Sequence, residues 1–299
     1  MGLRHPERTR GSRRNLVRTL PLAGFVVLAL ALSGCSDDTQ LERAGMPKIV
    51  TAQGQGILDL WQGAWIAALA TGAVVWGLIL FAVIYYRRRS DDEIPIQTRY
   101  NLPVEIFYTI FPIVMVIVFF SHTVRVQNEV MHLDPTPDVR ITVVGQKWQW
   151  TFNHHLDPSQ TDGKVVYVAG DLNNDSIPTL VLPVDETIEF DLESADVIHD
   201  FGVPAFAMRM DVVPGRDNKF QVTPTEIGGP YAGKCYELCG TYHSRMLFQV
   251  KVVSQDDYQS YIQRLEAVPD HSADHPVIGG SYTRVPYLNP EDETEGEQK

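Results

Sequence analysis

Uncharged apolar residues are concentrated in three runs within the first 125 residues, and the remainder of the chain mixes apolar with polar positions. The first run, residues 21–32, is too short to span a bilayer as a stable helix. The runs at 60–86 and 106–124 contain no acidic residue, Lys or Arg, and each is long enough to cross a membrane. The pattern predicts two spans, at about 60–86 and 104–124, in a helical hairpin over residues 60–125.

The residues that flank the two spans indicate how the hairpin is oriented. Tryptophans at one end of the first span and tyrosines at the other are typical of membrane interfaces. The loop between the spans, residues 87–105, carries four arginines, which favours the cytoplasmic side. Both ends of the hairpin then face outward, so we expect residues 35–59 and everything after residue 125 to be extracytoplasmic.

After the hairpin, the pattern changes to short segments rich in β-branched and aromatic residues, separated by Pro, Gly, Asp and Asn. Such segments are typical of strands. They predict a Greek-key β-sandwich or barrel over residues 126–254, and thus an α+β membrane protein. The predicted strands are 139–152, 164–169, 179–183, 187–194, 218–222 and 246–253.

Beyond the predicted β-domain, the chain changes character twice. Residues 255–268 have the spacing of an amphipathic helix. Residues 269–299 are rich in Pro, Gly and acidic residues, which is typical of a mobile tail.

The N-terminus has the composition of an export signal. Six arginines precede the first apolar run, and the run ends in Leu-Ser-Gly-Cys at Cys35. This tetrapeptide resembles the bacterial lipoprotein processing box, which predicts that residues 1–34 are removed and that Cys35 carries membrane lipid. The alternative is an ordinary signal sequence with an incidental cysteine. Together with the two predicted spans, this N-terminus leads us to expect a bacterial plasma-membrane protein.

The charge of the chain excludes one class of partner. Residues 1–34 carry six Arg and one Glu, so their removal would take the net charge from −12 to −17. Such an acidic protein does not bind nucleic acid through a general basic surface.

Candidate chemistry is concentrated in the sequence GKCYELCGTYHSRM, residues 233–246. Two of the three cysteines of the chain, Cys235 and Cys239, lie here with His243 and Met246. In an oxidising compartment the two cysteines could form a disulfide. A structural zinc site is a second alternative, although methionine is a poor zinc ligand. Thiolate, imidazole and thioether together are the soft ligand set that copper prefers.

A further imidazole is available upstream, where His199 lies at a predicted strand end. One copper ion needs only one cysteine, whereas two thiolates from one tight loop can bridge two metal ions. His199 and His243 would then each bind one ion. Such a site leaves no open coordination position, so it suits electron transfer and not substrate chemistry.

Four motifs together resemble subunit II of haem–copper cytochrome c oxidase. They are the C-x-E-x-C-x3-H-x2-M pattern in the loop, VEIFYTIFP at 104–112, GQKWQW at 145–150 and MDVVPGR at 210–216. The resemblance covers nearly all of the predicted mature chain and implies a cupredoxin-like fold for the outer domain.

The resemblance implies a role for each candidate residue. Cys235 and Cys239 would bridge the two ions of a dinuclear copper A centre, and the other copper ligands would be His199, His243, Met246 and the backbone carbonyl of Glu237. The Glu237 carboxylate would reach a magnesium ion shared with subunit I. Trp148 corresponds to the position where electrons enter, and Glu105 to the mouth of a proton-uptake path. Without the resemblance, Trp148 reads as a core aromatic and Glu105 as a carboxylate at a span edge.

The implied function is electron input to a terminal oxidase of aerobic respiration. Electrons would pass from a c-type cytochrome through copper A to haem in subunit I, which also holds copper B, reduces oxygen and pumps protons. Subunits I and III are the implied partners. Our hypothesis for the donor is a membrane-held c-type cytochrome in a supercomplex with a cytochrome bc-type complex. The alternative from another class is a related quinol oxidase subunit, which keeps the fold but lacks the copper ligands.

Several positions depart from the family pattern. Tyr108 replaces a tryptophan, Gln149 replaces an aromatic residue, and the cation Arg245 lies beside Met246. Residues 154–178 match no motif. We interpret four histidines without a motif as surface residues: His154, His155, His271 and His275.

Overall fold

A computed structural model of the chain describes residues 40–90, 92–170 and 177–278. The expected signal sequence, Cys35 and the last part of the acidic tail lie outside the described residues. Every element below belongs to one compact unit that begins at Arg43.

Two long helices precede the β-domain. Helix α1 is Ala52–Tyr85 and helix α2 is Leu102–Val130, with mean hydropathies of 2.4 and 2.2 in their most apolar windows. By length and composition, both could cross a membrane. Their apolar side chains are mostly exposed.

Both helices extend beyond the predicted spans. Helix α1 begins eight residues before position 60, and α2 continues six residues past position 124. The starts are set by caps, since the Thr51 hydroxyl accepts a hydrogen bond from the Gly54 amide and the Asn101 side chain accepts one from Val104. The apolar pattern therefore locates the span but not the full helix.

The outer domain is a sandwich of two sheets, which confirms the predicted β-fold. The strands are β1 Val139–Gln146, β2 Gln149–His155, β3 Val165–Ala169, β4 Thr179–Pro183, β5 Ile188–Ser194, β6 His199–Val203, β7 Met208–Val212, β8 Asn218–Val222, β9 Gly228–Cys235, β10 Leu247–Val253 and β11 Ser272–Ala273. One sheet has the strand order β11-β3-β2-β1-β5-β8 and the other β4-β10-β9-β6-β7. The β1/β5 and β4/β10 pairs are parallel.

Aromatic side chains fill the space between the two sheets. Phe201 of β6 stacks on Phe248 of β10 with ring centroids 4.8 Å apart, and Trp150 and Phe152 of β2 pack edge-on against Phe248. All four side chains have at most 1% of their surface exposed. Alternation along β2 directs Trp150 and Phe152 to the same face of the strand, which anchors β2 beside the strands that carry the candidate ligands.

The strands of the structure differ from the predicted segments at several places. Residues 139–152 form two strands, β1 and most of β2, which meet at the turn over Lys147 and Trp148. Strands β6, β7, β9 and β11 were not among the predicted segments. Strand β9 opens with Gly-Gly-Pro, which reads as a turn, yet Gly233 is needed inside it because an added Cβ would lie 2.1 Å from the Phe248 ring. Strand β7 is an edge strand with few β-branched residues.

The interpretation of His154 and His155 as surface residues is wrong. His154 is fully buried, and its Nδ1 lies 3.0 Å from the Tyr258 hydroxyl on helix α3, Gln255–Glu266. His155 is also buried, with Nε2 2.8 Å from the Thr142 hydroxyl. Burial lowers the pKa of His154 to about 3, so this side chain is neutral in the folded protein.

The segment after α3 is more ordered than the sequence suggests. Residues 269–278 contain a 3-10 turn and strand β11, which pairs with β3, where the composition predicts a mobile tail. His271 Nδ1 donates to the Tyr167 carbonyl at 2.9 Å, whereas His275 is exposed as expected. Packing against β3 holds this segment, and a composition pattern does not report such contacts.

Candidate metal centre

Four sulfur and nitrogen side chains converge at one end of the sandwich. Cys235 ends β9, Cys239 lies in the following loop, His243 begins a 3-10 turn, and Met246 precedes β10. The Sγ atoms of the two cysteines are 3.9 Å apart. Cys239 Sγ lies 3.5 Å from His243 Nδ1 and 3.7 Å from Met246 Sδ. The loop therefore brings together the side chains that the sequence spacing suggested.

A different strand contributes His199, which is the first residue of β6 and is fully buried. Its Nδ1 lies 4.0 Å from Cys235 Sγ, and its Nε2 lies 2.8 Å from Asp196 Oδ1. Asp196 also accepts a hydrogen bond from the Lys147 amide at 2.8 Å. These contacts fix which imidazole nitrogen faces the sulfur atoms, an arrangement common at metal-binding histidines.

The environment of Asp196 keeps its carboxyl group ionised. Burial acts to raise its pKa, but hydrogen bonds from His199 and from the Lys147 and Val197 amides prevail and lower it. The hydrogen bond from His199 to Asp196 was not predicted from the sequence. The position of Asp196 three residues before His199 was visible, but the contact depends on the turn between β5 and β6.

The two cysteines are free thiols in the structure. A disulfide requires sulfur atoms about 2.05 Å apart, so a separation of 3.9 Å does not support the disulfide alternative. The contact between the two sulfur atoms favours ionisation of one of them, so that the pKa of Cys235 is lowered and that of Cys239 is raised. One of the two sulfur atoms is thus readily a thiolate, the form that binds metals.

The loop backbone completes the cluster. The Glu237 carbonyl oxygen lies 3.2 Å from Cys235 Sγ, while its side chain is exposed. Gly240 adopts a φ of +119°, and a Cβ there would lie 3.0 Å from the Trp148 ring. The turn that returns the chain from Cys239 to His243 therefore requires glycine, both for its backbone conformation and for the close approach of Trp148.

Trp148 packs directly on this loop. Its Nε1 donates to the Cys239 carbonyl at 3.1 Å, and its ring meets Tyr242 edge-on with centroids 5.0 Å apart. The Arg245 guanidinium lies 5.6 Å from the centre of the Tyr242 ring. Trp148 is only 6% exposed, so it is a packed aromatic residue that is also hydrogen-bonded to the backbone of the candidate ligand Cys239. The sequence reasoning did not single out Tyr242.

Trp150 is a core residue, as expected. It is fully buried, and its Nε1 donates to the Met246 carbonyl at 3.3 Å.

Glu105 is not part of this cluster. It lies in the first turn of α2, and its carboxylate accepts a hydrogen bond from the Asn101 amide at 2.7 Å. Helix α2 has 29 residues, which at 1.5 Å per residue separates its two ends by roughly 40 Å. The β-domain follows the far end of that helix.

The donor set fits a soft metal ion. Within the described parts of the chain, one group of three or more His, Cys and acidic residues could hold a metal ion, namely His199, Cys235 and Cys239, with ligand atoms within 4.8 Å of one another. Each sulfur has its own imidazole: His199 for Cys235 and His243 for Cys239. Thiolate, imidazole and thioether donors in one buried cluster suit copper better than hard cations.

Two apolar helices followed by a β-sandwich with this cluster define a membrane-anchored cupredoxin-like protein. Residues 139–253 match the family model described as "Cytochrome C oxidase subunit II, periplasmic domain". The chain is 45% identical over 286 residues to a probable cytochrome c oxidase subunit 2 of Streptomyces coelicolor, covering 86% of this chain and 88% of that protein. It is 35% identical over 310 residues to the cytochrome c oxidase subunit 2 of Mycobacterium tuberculosis, and the match covers 87% of this chain and 85% of that protein.

Among solved structures, the periplasmic domain of subunit II of cytochrome oxidase from Bradyrhizobium japonicum is similar, at 27% identity. The structural match covers 45% of this chain and 98% of the Bradyrhizobium domain, with a TM-score of 0.39. On the strength of the relatives, the chain belongs to the cytochrome c oxidase subunit 2 family and is a subunit of a haem–copper oxidase.

Proposed function

We propose that this chain accepts electrons from a c-type cytochrome at a dinuclear copper A centre and passes them to haem in subunit I. The observation that carries the proposal is the pairing of two adjacent sulfur atoms, each flanked by its own imidazole. Such a donor set can serve two metal ions at once. When bound, the copper pair would supply a one-electron carrier whose charge is shared over both ions.

The chain's own residues would hold and insulate this centre. Cys235 and Cys239 would provide the bridging thiolates, His199 and His243 one imidazole each, and Met246 a weak thioether ligand. The Glu237 carbonyl, 3.2 Å from Cys235 Sγ, would complete the set. The cysteines, His199 and Met246 are at most 4% exposed, so water is largely excluded and little solvent needs to reorganise on electron transfer.

Electrons would enter through Trp148. Its indole donates a hydrogen bond to the Cys239 backbone, and its ring contacts the Tyr242 ring edge-on. Because Tyr242 is partly exposed while Trp148 is buried, a donor would contact Tyr242 and couple through Trp148.

Two further roles rest on family resemblance together with position. The exposed Glu237 side chain is free to reach a magnesium ion shared with subunit I. Glu105, at the end of α2 remote from the β-domain, would admit protons to a path in subunit I. The hydrogen bond that the Glu105 carboxylate accepts from the Asn101 backbone amide also fits a purely structural role, in which Glu105 caps the start of α2.

The setting of the protein follows from the same proposal. The two helices would span a bacterial plasma membrane, with the β-domain outside, in a complex with subunits I and III. Cys35 would carry a lipid anchor, and a membrane-held c-type cytochrome, in a supercomplex with a cytochrome bc-type complex, would be the donor. The quinol oxidase alternative is disfavoured because all of the proposed copper ligands are present and close together.

The direct test is the substitution Trp148→Phe, which keeps a buried ring but removes the hydrogen bond to Cys239. In the purified oxidase complex we expect reduction of the copper centre by cytochrome to slow, while a small chemical reductant reduces it at the wild-type rate. Stopped-flow absorption measures both. Trp61→Phe is the matched control, since it also removes an indole hydrogen bond, to the Ala44 carbonyl, but lies outside the cluster. Equal slowing with both reductants would show that Trp148 is only a packing residue.

A further inference from the structure

The chain segment that leads into α1 is hydrogen-bonded to the β-domain as an added strand would be. The Val50 amide donates to the Ala205 carbonyl, and the Thr225 amide donates to the Val50 carbonyl, each at 2.9 Å. The Ala52 amide donates to the Thr223 carbonyl at 3.0 Å. Val50 is fully buried. The membrane helix therefore starts from a fixed point on the domain and not from a flexible linker.

Thr51 and Gly54 make this attachment part of the first helical turn. The Thr51 hydroxyl accepts a hydrogen bond from the Gly54 amide at 3.2 Å and donates one to the Phe206 carbonyl at 3.3 Å. A Cβ on Gly54 would lie 2.6 Å from that same carbonyl oxygen. Glycine is a poor helix former, so its presence here is explained by the close approach of the helix to the Phe206 backbone.

Phe206 belongs to the turn that directly follows strand β6, and β6 begins with His199. Ala205 and Phe206 of this turn are buried, and Phe201 of β6 stacks on Phe248 with ring centroids 4.8 Å apart. A rigid connection of eight residues, 199–206, therefore runs from a proposed copper ligand to the first turn of α1.

The second membrane helix is tied to the same region. Just after α2, the Asp134 amide donates to Gln221 Oε1 at 2.7 Å, and Gln221 Nε2 donates to the Asp134 carbonyl at 2.8 Å. Gln221 lies in β8, two residues before Thr223, whose amide donates to the Gln53 side chain at 2.9 Å. Both helices are thus fastened to the end of one strand.

We propose that Thr51 and Gly54 are positioning residues, which hold the strand that carries His199 at a fixed distance and orientation from the membrane helices. The inference rests on the proposed function, since it requires that electrons leave the metal centre for a haem held by subunit I. Electron transfer slows exponentially with distance, so a centre on a loosely attached domain would deliver electrons slowly even with its ligands intact.

The test compares Gly54→Ala with Gly77→Ala in the purified oxidase complex. At Gly54 the added methyl meets the Phe206 backbone, whereas at Gly77, in the same helix, nothing lies within 4 Å. Gly54→Ala should slow electron transfer from copper to haem by at least about tenfold, by analogy with misplacement in other preorganised sites. The copper absorption spectrum and the rate of reduction by cytochrome should stay at wild-type values. Gly77→Ala should change none of the three.

A second pair of variants separates position from folding. Thr51→Val removes both hydrogen bonds and should reproduce the slow transfer, whereas Thr51→Ser keeps the hydroxyl and should restore it. Wild-type transfer to haem in both Gly54→Ala and Thr51→Val would overturn the inference. Loss of the copper spectrum in Gly54→Ala would also overturn it, because the residue would then act on the folding of the site. A wild-type complex without copper-to-haem transfer would instead overturn the proposed function itself.

Discussion

Among single residues, Asp196 has a clear connection to the metal centre, because its carboxylate binds the ring nitrogen of His199 that faces away from the sulfur atoms. The candidate ligands could be identified from the sequence, because Cys, His and Met at close spacing are the soft donors that a copper site requires. Asp196, the hydrogen-bond partner of His199, could not be identified from the sequence. Its contacts with Lys147 and His199 exist only after β1, β5 and β6 have assembled.

The substitution Asp196→Asn tests this orienting role. An amide can still bond to the imidazole but loses the negative charge, so we expect copper affinity to fall by roughly 10- to 100-fold. Titration against a chelator of known affinity measures the change. Asp217→Asn, at an exposed position outside the cluster, is the control. Wild-type affinity in Asp196→Asn would show that the ring of His199 is held by packing alone.

At the scale of elements, hydropathy located both membrane helices, but the caps that set their ends, Thr51 and Asn101, are polar and lie outside the apolar runs. Most of the strands were visible from alternation. Strand β9 was not visible, because Gly233 within it is required by the Phe248 ring of the neighbouring strand β10, and the sequence pattern does not report that contact. The burial of His154 beneath α3 was missed for the same reason.

The contact between β2 and α3 predicts an acid-sensitive stability. His154 has a pKa of about 3 in the folded protein against about 6.5 when unfolded. Between these values the unfolded state binds more protons, so stability falls as the pH is lowered through this window, by up to about 1.4 kcal/mol per pH unit. Thermal unfolding from pH 7 to pH 4 should show this loss, and His154→Phe should reduce it. His275→Gln, at an exposed position, should leave the slope unchanged. An unaltered slope in His154→Phe would assign the acid sensitivity to other groups.

At the scale of the whole molecule, the acidic chain presents a cation beside the proposed electron path. Arg245 lies over Tyr242, which in turn contacts Trp148. A membrane-held donor has a high effective concentration and does not depend on strong charge complementarity. The location of the donor could not be derived from the fold, since the family resemblance specifies the chemistry of the donor and not how it is presented.

Turnover with a soluble basic cytochrome c tests this arrangement. We expect such a donor to be oxidised slowly by the wild-type complex, and Arg245→Ala to accelerate it, because one repulsive charge is removed from the docking surface. Lys251→Ala, on the exposed side of β10, is the control. Oxygen uptake at several salt concentrations gives the comparison. Rapid, strongly salt-sensitive oxidation by the wild-type complex would contradict a membrane-held donor.

The central claim is that two sulfur atoms 3.9 Å apart, each with its own imidazole, hold two copper ions. Elemental analysis of this chain, purified alone in mild detergent after copper loading, tests it most directly. We predict two copper ions per chain in the wild type and loss of the mixed-valence spectrum in Cys239→Ser, while Met246→Leu should retain copper with a shifted potential. One copper ion per wild-type chain would contradict the account.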